Sequence, residues 1–360
     1  MKLIRCTQPR QMKAYMTFME SVYHGNSFYR PTMMPIIRML FSGESVFCRH
    51  AIIEPTMVMH EGKPIAAVTF IYSAKLPKVL QLAFFEALPD SLNAVALLLN
   101  VAKEKCKKAG LNTIVAGLNG HVNYGLGYLA DKFDSAPCFG NAYNPSYYLD
   151  YFEALGMTKQ VLVSYLTDMD NLTMSGEEKL LKRVQARYRV RKSDFRQLKR
   201  EVSIYTRLNN LCFTEHPFCF ERTFAEDYEL LKGFRPLIRD ENLLIVETDG
   251  EPVGFMLWYP DFHQVIPSGK EVGLNALMKA KWSPRLIQKF KIAEIGVIPR
   301  HQGTGAAMLL FEKCKELTQG RYKWCESSWI IDSNTRSRGF GIRWADQEYK
   351  HYNVYEMHAH

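Results

Sequence analysis

The chain has 360 residues, 47% hydrophobic and 12% aromatic, which is enough apolar material for two packed cores and too much for a disordered chain. No apolar run reaches the roughly 18 residues of a membrane-spanning helix; the longest, near Ala94–Ala102, contains Asn100. Eight cysteines are scattered without a Cys-x-x-Cys pair or metal-ligand spacing, and the N-terminal MKLIRCTQPRQMK has no signal-peptide core. A reduced, cytoplasmic protein without bound metal is therefore expected.

Taken in chain order, the first legible element is a hairpin. Glu61-Gly62-Lys63-Pro64-Ile65-Ala66 is a turn running into the apolar strand VTFIY. Pro89 closes the next strand, and Asn144-Pro-Ser-Tyr-Tyr opens a helix that ends at Leu155-Gly156-Met157. Between Lys179 and Arg200 stand ten basic residues and one acid, Asp194. This balance equals the formal +9 of the whole chain, so the remainder sums to zero. Leu180, Leu181, Val184, Tyr188 and Phe195 give this stretch an imperfect helical face, and a basic helical linker over 169–203 is expected. Its charge would suit an anionic partner. No RNA-binding motif accompanies it, which argues against nucleic acid, and charge alone leaves a membrane surface open.

The hairpin then returns as Asp249-Gly250-Glu251-Pro252-Val253-Gly254 before FMLWY, and Pro299 answers Pro89. Two copies of one α/β unit follow, over 1–168 and 204–360, with an insertion within Asp261–Ser283 in the second copy and one between Leu97 and Asn144 in the first.

The most informative segment is 292–317. A strand ends at Val297-Ile298, Pro299 stops it, and a Gln302-Gly303-Thr304-Gly305-Ala306-Ala307 turn opens a helix. Such a turn points unpaired N–H groups at one spot and suits a phosphate or pyrophosphate. It is not a Walker loop, because no Gly-Lys-Ser/Thr follows, and Met308 replaces the third glycine of a dinucleotide fingerprint. Aligning Pro89 with Pro299 sets Val95 against Gly305, so the first copy loses this cradle.

The pattern Val297-x-Pro299-x-x-Gln302-Gly303-x-Gly305-x-Ala307 resembles the acyl-CoA-binding segment of the GCN5-related N-acetyltransferases (the GNAT superfamily). Asn144…Leu155-Gly156-Met157 is similar to the segment that closes many of those domains. The resemblance implies a tandem arrangement of two α/β (α+β) domains, each a mixed, mostly antiparallel twisted sheet flanked by helices, with a degenerate first copy. It also implies that acetyl-CoA or another acyl-CoA is held by the amides of 302–307, by the backbone at Gly296 and Val297, and by Asn334. Gly296, inside a strand, is expected to mark a bulge or a close backbone approach.

The resemblance further implies direct attack of an amine on the thioester, with a small amine or amino-acid-like acceptor. Glu294, on the strand before the turn and sharing a face with Ile292 and Gly296, is one candidate base. Glu326, beside Ser327 and Ser328, is the other. The family's acid tyrosine is replaced by Gly341, between Phe340 and Ile342. Ser328, a water, Tyr349 or Tyr352 would have to protonate the leaving thiolate. His121, His216, His263 and His301 read as ordinary polar residues. Three readings stand: an acyl-CoA-dependent N-acyltransferase, a non-catalytic acyl-CoA binder, and an aminoacyl-tRNA-dependent transferase like the FemABX enzymes.

Overall fold

The computed structural model describes residues 1–31, 33–172, 178–273, 278–279, 283–335, 338–339, 343 and 345–359. The first copy comprises β1 (Lys2–Arg5), α1 (Pro9–Val22), α2 (Met34–Ser42), β2 (Ala51–His60), β3 (Lys63–Ser73), β4 (Val79–Ala87), α3 (Leu92–Ala109), β5 (Thr113–Ala116), β6 (Tyr128–Leu129), α4 (Tyr147–Ala154) and β7 (Thr158–Asp168). After α5 (Glu178–Gln185) the order recurs. The second copy has β8 (Arg189–Lys192), α6 (Leu198–Cys212), α7 (Phe224–Phe234), β9 (Leu243–Thr248), β10 (Glu251–Pro260), β11 (Lys289–Val297), α8 (Ala306–Thr318), β12 (Trp324–Ser327), β13 (Ile330–Ile331) and β14 (Gln347–His358).

The architecture is α/β, with one mixed, mostly antiparallel sheet flanked by helices, and a similar order of elements recurs along the chain. Both hairpins turn on a pair with positive φ, Glu61 and Gly62 in one copy and Asp249 and Gly250 in the other, as a tight hairpin turn requires. Residues 74–78 join β3 to β4, whereas 261–288 join β10 to β11. Between β5 and α4 the first copy carries 117–146. The two expected insertions therefore exist, and they meet. Phe139 N donates to Asp261 Oδ1 (2.8 Å), and His263 Nδ1 lies 2.9 Å from Pro137 O.

The basic stretch is not helical throughout: α5 covers Glu178–Gln185 and α6 starts at Leu198, with a strand between them. Arg189–Lys192 is strand β8, the counterpart of β1, and it pairs antiparallel with β9 as β1 pairs with β2. This strand lies within the 169–203 span expected as linker. Several of the charges are already paired: Arg191 with Glu201 and Glu247, Lys192 with Glu241, and Arg196 with Asp194. Val184, Tyr188 and Phe195 are buried as the apolar pattern anticipates, while Leu180 is exposed.

The sheet runs β1-β2-β3-β4-β5-β14-β7-β12-β11-β10-β9-β8, with β13 on β7 and β6 on β14. The last strands are exchanged. β14 of the second copy lies antiparallel between β5 and β7, and β7 of the first copy pairs with β12. A cut at residue 168 would therefore remove a strand from each neighbour. Among the described residues no helix is long and apolar enough to cross a membrane.

A second tie between the copies runs through Glu226. Its Oε1 lies 2.6 Å from His50 Nε2 and its Oε2 accepts from Lys75 Nζ (2.7 Å). Burial pushes this carboxyl up, but the hydrogen bonds of Lys75, Thr223 and His50 outweigh burial and bring it down to about 2. A depressed carboxyl stabilises the folded state above its unfolded pKa and loses that contribution as pH falls through its folded one. Glu226→Gln is expected to cost roughly 3 kcal/mol near neutral pH. Urea titrations of both proteins should show the gap closing between about pH 4.5 and pH 2; a gap independent of pH would refute the assignment.

Candidate functional site

A cavity of about 1440 Å³ opens where β11 and β12 part. The two strands pair in parallel only from Lys289–Trp324 to Ile292–Ser327, so residues 293–297 have no ladder partner on that side among the described residues. Ser328 N, donating to Ile292 O (2.8 Å), is the last link. Just beyond it β11 carries a bulge. Trp258 opposes Ile292 and Leu257 opposes Glu294, which leaves Ala293 unpaired.

The bulge shifts the side-chain alternation. Glu294 shares a face with Gly296, as expected, but Ile292 points to the other. Lys291, opposite Tyr259, joins Glu294 on the face beneath α6 although the two are three residues apart. Gly296 is not the bulge. It is the close approach, since a Cβ there would lie 2.8 Å from Cys212 Cβ and 2.9 Å from its Sγ, so α6 could not seat.

At the end of β11, Gly303 and Gly305 have φ of +76° and +93°, and Gly305 caps α8. No described loop residue accepts a hydrogen bond from the amides of 303–307, and a Cβ on Gly303 would meet nothing within 4 Å. The turn is braced from behind. Tyr188 OH lies 2.8 Å from His301 Nδ1 and 2.9 Å from Thr304 Oγ1, and Gln302 Nε2 donates to Val297 O (3.0 Å). Five open amides at a helix N-terminus fit a pyrophosphate, and the freed edge of 293–297 fits an extended amide-bearing arm beside it.

On the α6 face, Glu294 Oε2 accepts from Tyr205 OH (2.8 Å) and Asn209 Nδ2 (2.7 Å). Arg222 stands behind it, Nη1 at 3.8 Å from Glu294 Oε1 and Nε at 3.3 Å from Asp227 Oδ1, with the Tyr205 ring 5.0 Å away. Burial raises Asp227 to about 6. Burial also disfavours the Arg222 charge, yet Tyr205, Glu294 and Asp227 more than restore it. Its Nε and Nη2 have no hydrogen-bond acceptor among the described residues.

Of the residues singled out in the sequence, Glu294, Gly296, Val297, Gln302, Gly303, Thr304, Gly305, Ala307, Ser328 and Asn334 line the cavity. Ala306 is buried under the turn as the first residue of α8. Glu326 does not line the cavity: it is fully buried, ion-paired with Lys289 (2.9 Å) and bonded by Asn141 (3.0 Å). Tyr352 is buried against Asn141, and neither it nor Tyr349 borders the cavity. Gly341, Phe340 and Ile342 lie outside the described residues. Sequence reasoning missed Tyr205, Asn209, Arg222 and Lys291. Only Lys291 left a signal, two lysines alternating in the apolar KFKIAEIGV.

No family profile matches the sequence. Aligned over its whole length, the chain matches a tandem GNAT protein from the clavulanic acid biosynthesis pathway with a TM-score of 0.56 at 10% identity, covering 100% of this chain and 98% of that one. The fold is that of the GCN5-related N-acetyltransferases. Among curated sequences it is similar to Protein YghO of Escherichia coli (strain K12), 24% identical over 292 residues, 74% of this chain and 71% of that protein. It is also similar to a bacterial ceramide synthase of Caulobacter vibrioides, 22% identical over 277 residues, 72% of this chain and 70% of that enzyme.

The glycine turn carries a direct test. Valine at 305 would have to adopt φ +93°, and its Cβ would lie 2.5 Å from Val184 Cγ2. Gly305→Val should therefore push α5 off the turn and abolish CoA binding in a calorimetric titration; retention of wild-type affinity would show that the amides of 303–307 do not hold CoA.

Proposed function

We propose that this chain transfers an acyl group from acyl-CoA to an amine by direct attack. One observation carries the reading: a single strand, β11, presents Glu294 to the cavity and then runs into the open amides of 303–307 at its other end. The turn would hold the pyrophosphate, with the basic side chains of Arg300 and Lys315 nearby in sequence. The unpaired edge of 293–297 would hold the pantetheine arm and polarise the thioester carbonyl. Glu294, fixed through Oε2 by Tyr205 and Asn209, makes no hydrogen bond through Oε1 among the described residues and takes the proton of the attacking amine.

The departing thiolate needs little help. A thiol with a pKa near that of cysteine, about 8.5, leaves readily and takes its proton from water, so Ser328 on the cavity wall need only hydrogen bond it. The missing family tyrosine is therefore compatible with turnover. Glu326 has no part in this scheme beyond holding Lys289.

The size and walls of the cavity support a long-chain substrate. Its volume exceeds the roughly 300–1,000 Å³ of ordinary small-molecule sites. Phe213, Leu231, Phe234, Leu257 and Phe311 line it with apolar surface. The Caulobacter relative is named for making ceramide, an amide-linked lipid, which fits a long-chain acyl-CoA, a long-chain amine, or both here.

The reading is tested by following CoA thiol release with acyl-CoAs from acetyl to hexadecanoyl, each against hexadecylamine, ethanolamine, glycine and serine. Release is expected to favour the long acyl donors. Glu294→Gln should lower kcat by about 10²–10⁴ while leaving CoA affinity unchanged. Silence from every pair, together with CoA binding, would leave the chain an acyl-CoA binder and refute transfer.

A further inference from the structure

Lys291 lies on the cavity floor and is 3% exposed. Lysine is almost never this buried without a carboxylate partner, yet Lys291 makes no ion pair among the described residues. Its Nζ donates to Asn141 Oδ1, leaving two N–H groups. The carboxylates that influence it are committed elsewhere. Glu326 is paired with Lys289, Asp261 accepts from Phe139 N and His263 N, and Glu294 is held from α6.

The surrounding nest is rich in buried lysines. Lys289, Lys291 and Lys350 face Glu326 and Asp261, with Glu294 acting on Lys291 from the α6 side. Lys350, fully buried, has only backbone acceptors among the described residues, Ala136 O at 2.9 Å and Ser135 O at 3.5 Å. The space beside Lys291 is also kept open. Gly140, at φ +80°, carries the first copy over it, and a Cβ there would lie 3.8 Å from Lys291 Nζ and 3.0 Å from Tyr259 Oη. Burial lowers the lysine's pKa, so a bound anion would relieve a real electrostatic cost.

The β11 bulge sets this open cation on the same face as Glu294, one carboxylate and one ammonium projecting into one cavity. We infer that Lys291, with Asn141, is the subsite for a carboxylate carried by the amine acceptor, which is therefore an amino-acid-type zwitterion: its ammonium meets Glu294 and its carboxylate meets Lys291. This rests on the acyl-transfer reading above for the role of Glu294, but the carboxylate subsite can be measured by binding alone.

The experiment compares two ligands that differ in that group, N-hexadecanoylglycine and the neutral N-hexadecanoylethanolamine, titrated calorimetrically into the wild-type chain, Lys291→Met and Lys291→Arg. A charge-assisted hydrogen bond predicts that the wild type binds the acid about 10–100-fold more tightly than the neutral amide. Lys291→Met, which removes an unpaired buried charge and should fold, is expected to bind both alike with CoA affinity unchanged, and Lys291→Arg to keep a preference for the acid. Equal wild-type affinities, no binding of either ligand, or a preference that survives in Lys291→Met would each overturn the assignment. Failure of CoA itself to bind would instead strike the acyl-transfer reading, and the ligand comparison would still stand.

Discussion

The antiparallel ladders that hold β14 between β5 and β7 are the constraint on which the molecule rests. β14 pairs with β7 along Gln347–Glu356 and with β5 along Tyr355–His358, so each copy's sheet is continuous only through the other copy's last strand. Strand pairing satisfies backbone groups that would otherwise be buried unbonded, and the chain cannot separate its copies without exposing two edges. The exchange also explains why a first-copy strand borders a second-copy site. Gln160, Tyr165 and Thr167 of β7 line the cavity because β7 stands beside β12, where β12 leaves β11. The first copy lacks the glycine turn, but it supplies part of the wall.

Within that frame the copies diverge on matched strands. Both β4 and β11 carry a break in register against the preceding strand, so the bulge belongs to the architecture rather than to the chemistry. At an offset of 210, Gln81 stands for Lys291, Phe84 for Glu294 and Glu86 for Gly296. The first copy therefore fills the places that the second leaves open or charged. Gln81 is spent on the Gly120 backbone, donating to its carbonyl (3.3 Å) and accepting from its N–H (2.6 Å). Glu86 is buried, bonded by Tyr148 (2.6 Å) and Tyr23 (3.1 Å), and pushed by burial to about 8. On β11 the matching places hold a glycine closely approached by Cys212, a carboxylate held by two donors and a lysine with no ion pair among the described residues.

How legible was the site in the sequence? The hairpin turns at 61–62 and 249–250 and the turn at 302–307 were readable because positive φ and close approach demand particular residues at particular positions. The helical reading of 179–200 failed at Arg189–Lys192, where a short strand with flanking charges has no periodicity to distinguish it from a helix turn and tertiary pairing with β9 decides. The shared face of Glu294 and Ile292 failed for a different reason. A bulge of one residue reverses alternation, and Ile292-Ala293-Glu294 contains nothing that announces it. Arg222 was invisible because it reaches Glu294 from a loop far away in the chain.

The sequence by itself determined the repeat, the glycine turn and the loss of that turn in the first copy, because each is local: a few residues impose a backbone geometry regardless of what surrounds them. Only the tertiary structure decided which strands close which sheet, that Glu326 is consumed by Lys289 while Glu294 faces the cavity, and that Lys291 has no ion pair among the described residues. Those outcomes depend on pairing register and burial, which arise from segments far apart along the chain and are set only when the two copies fold around each other's final strand.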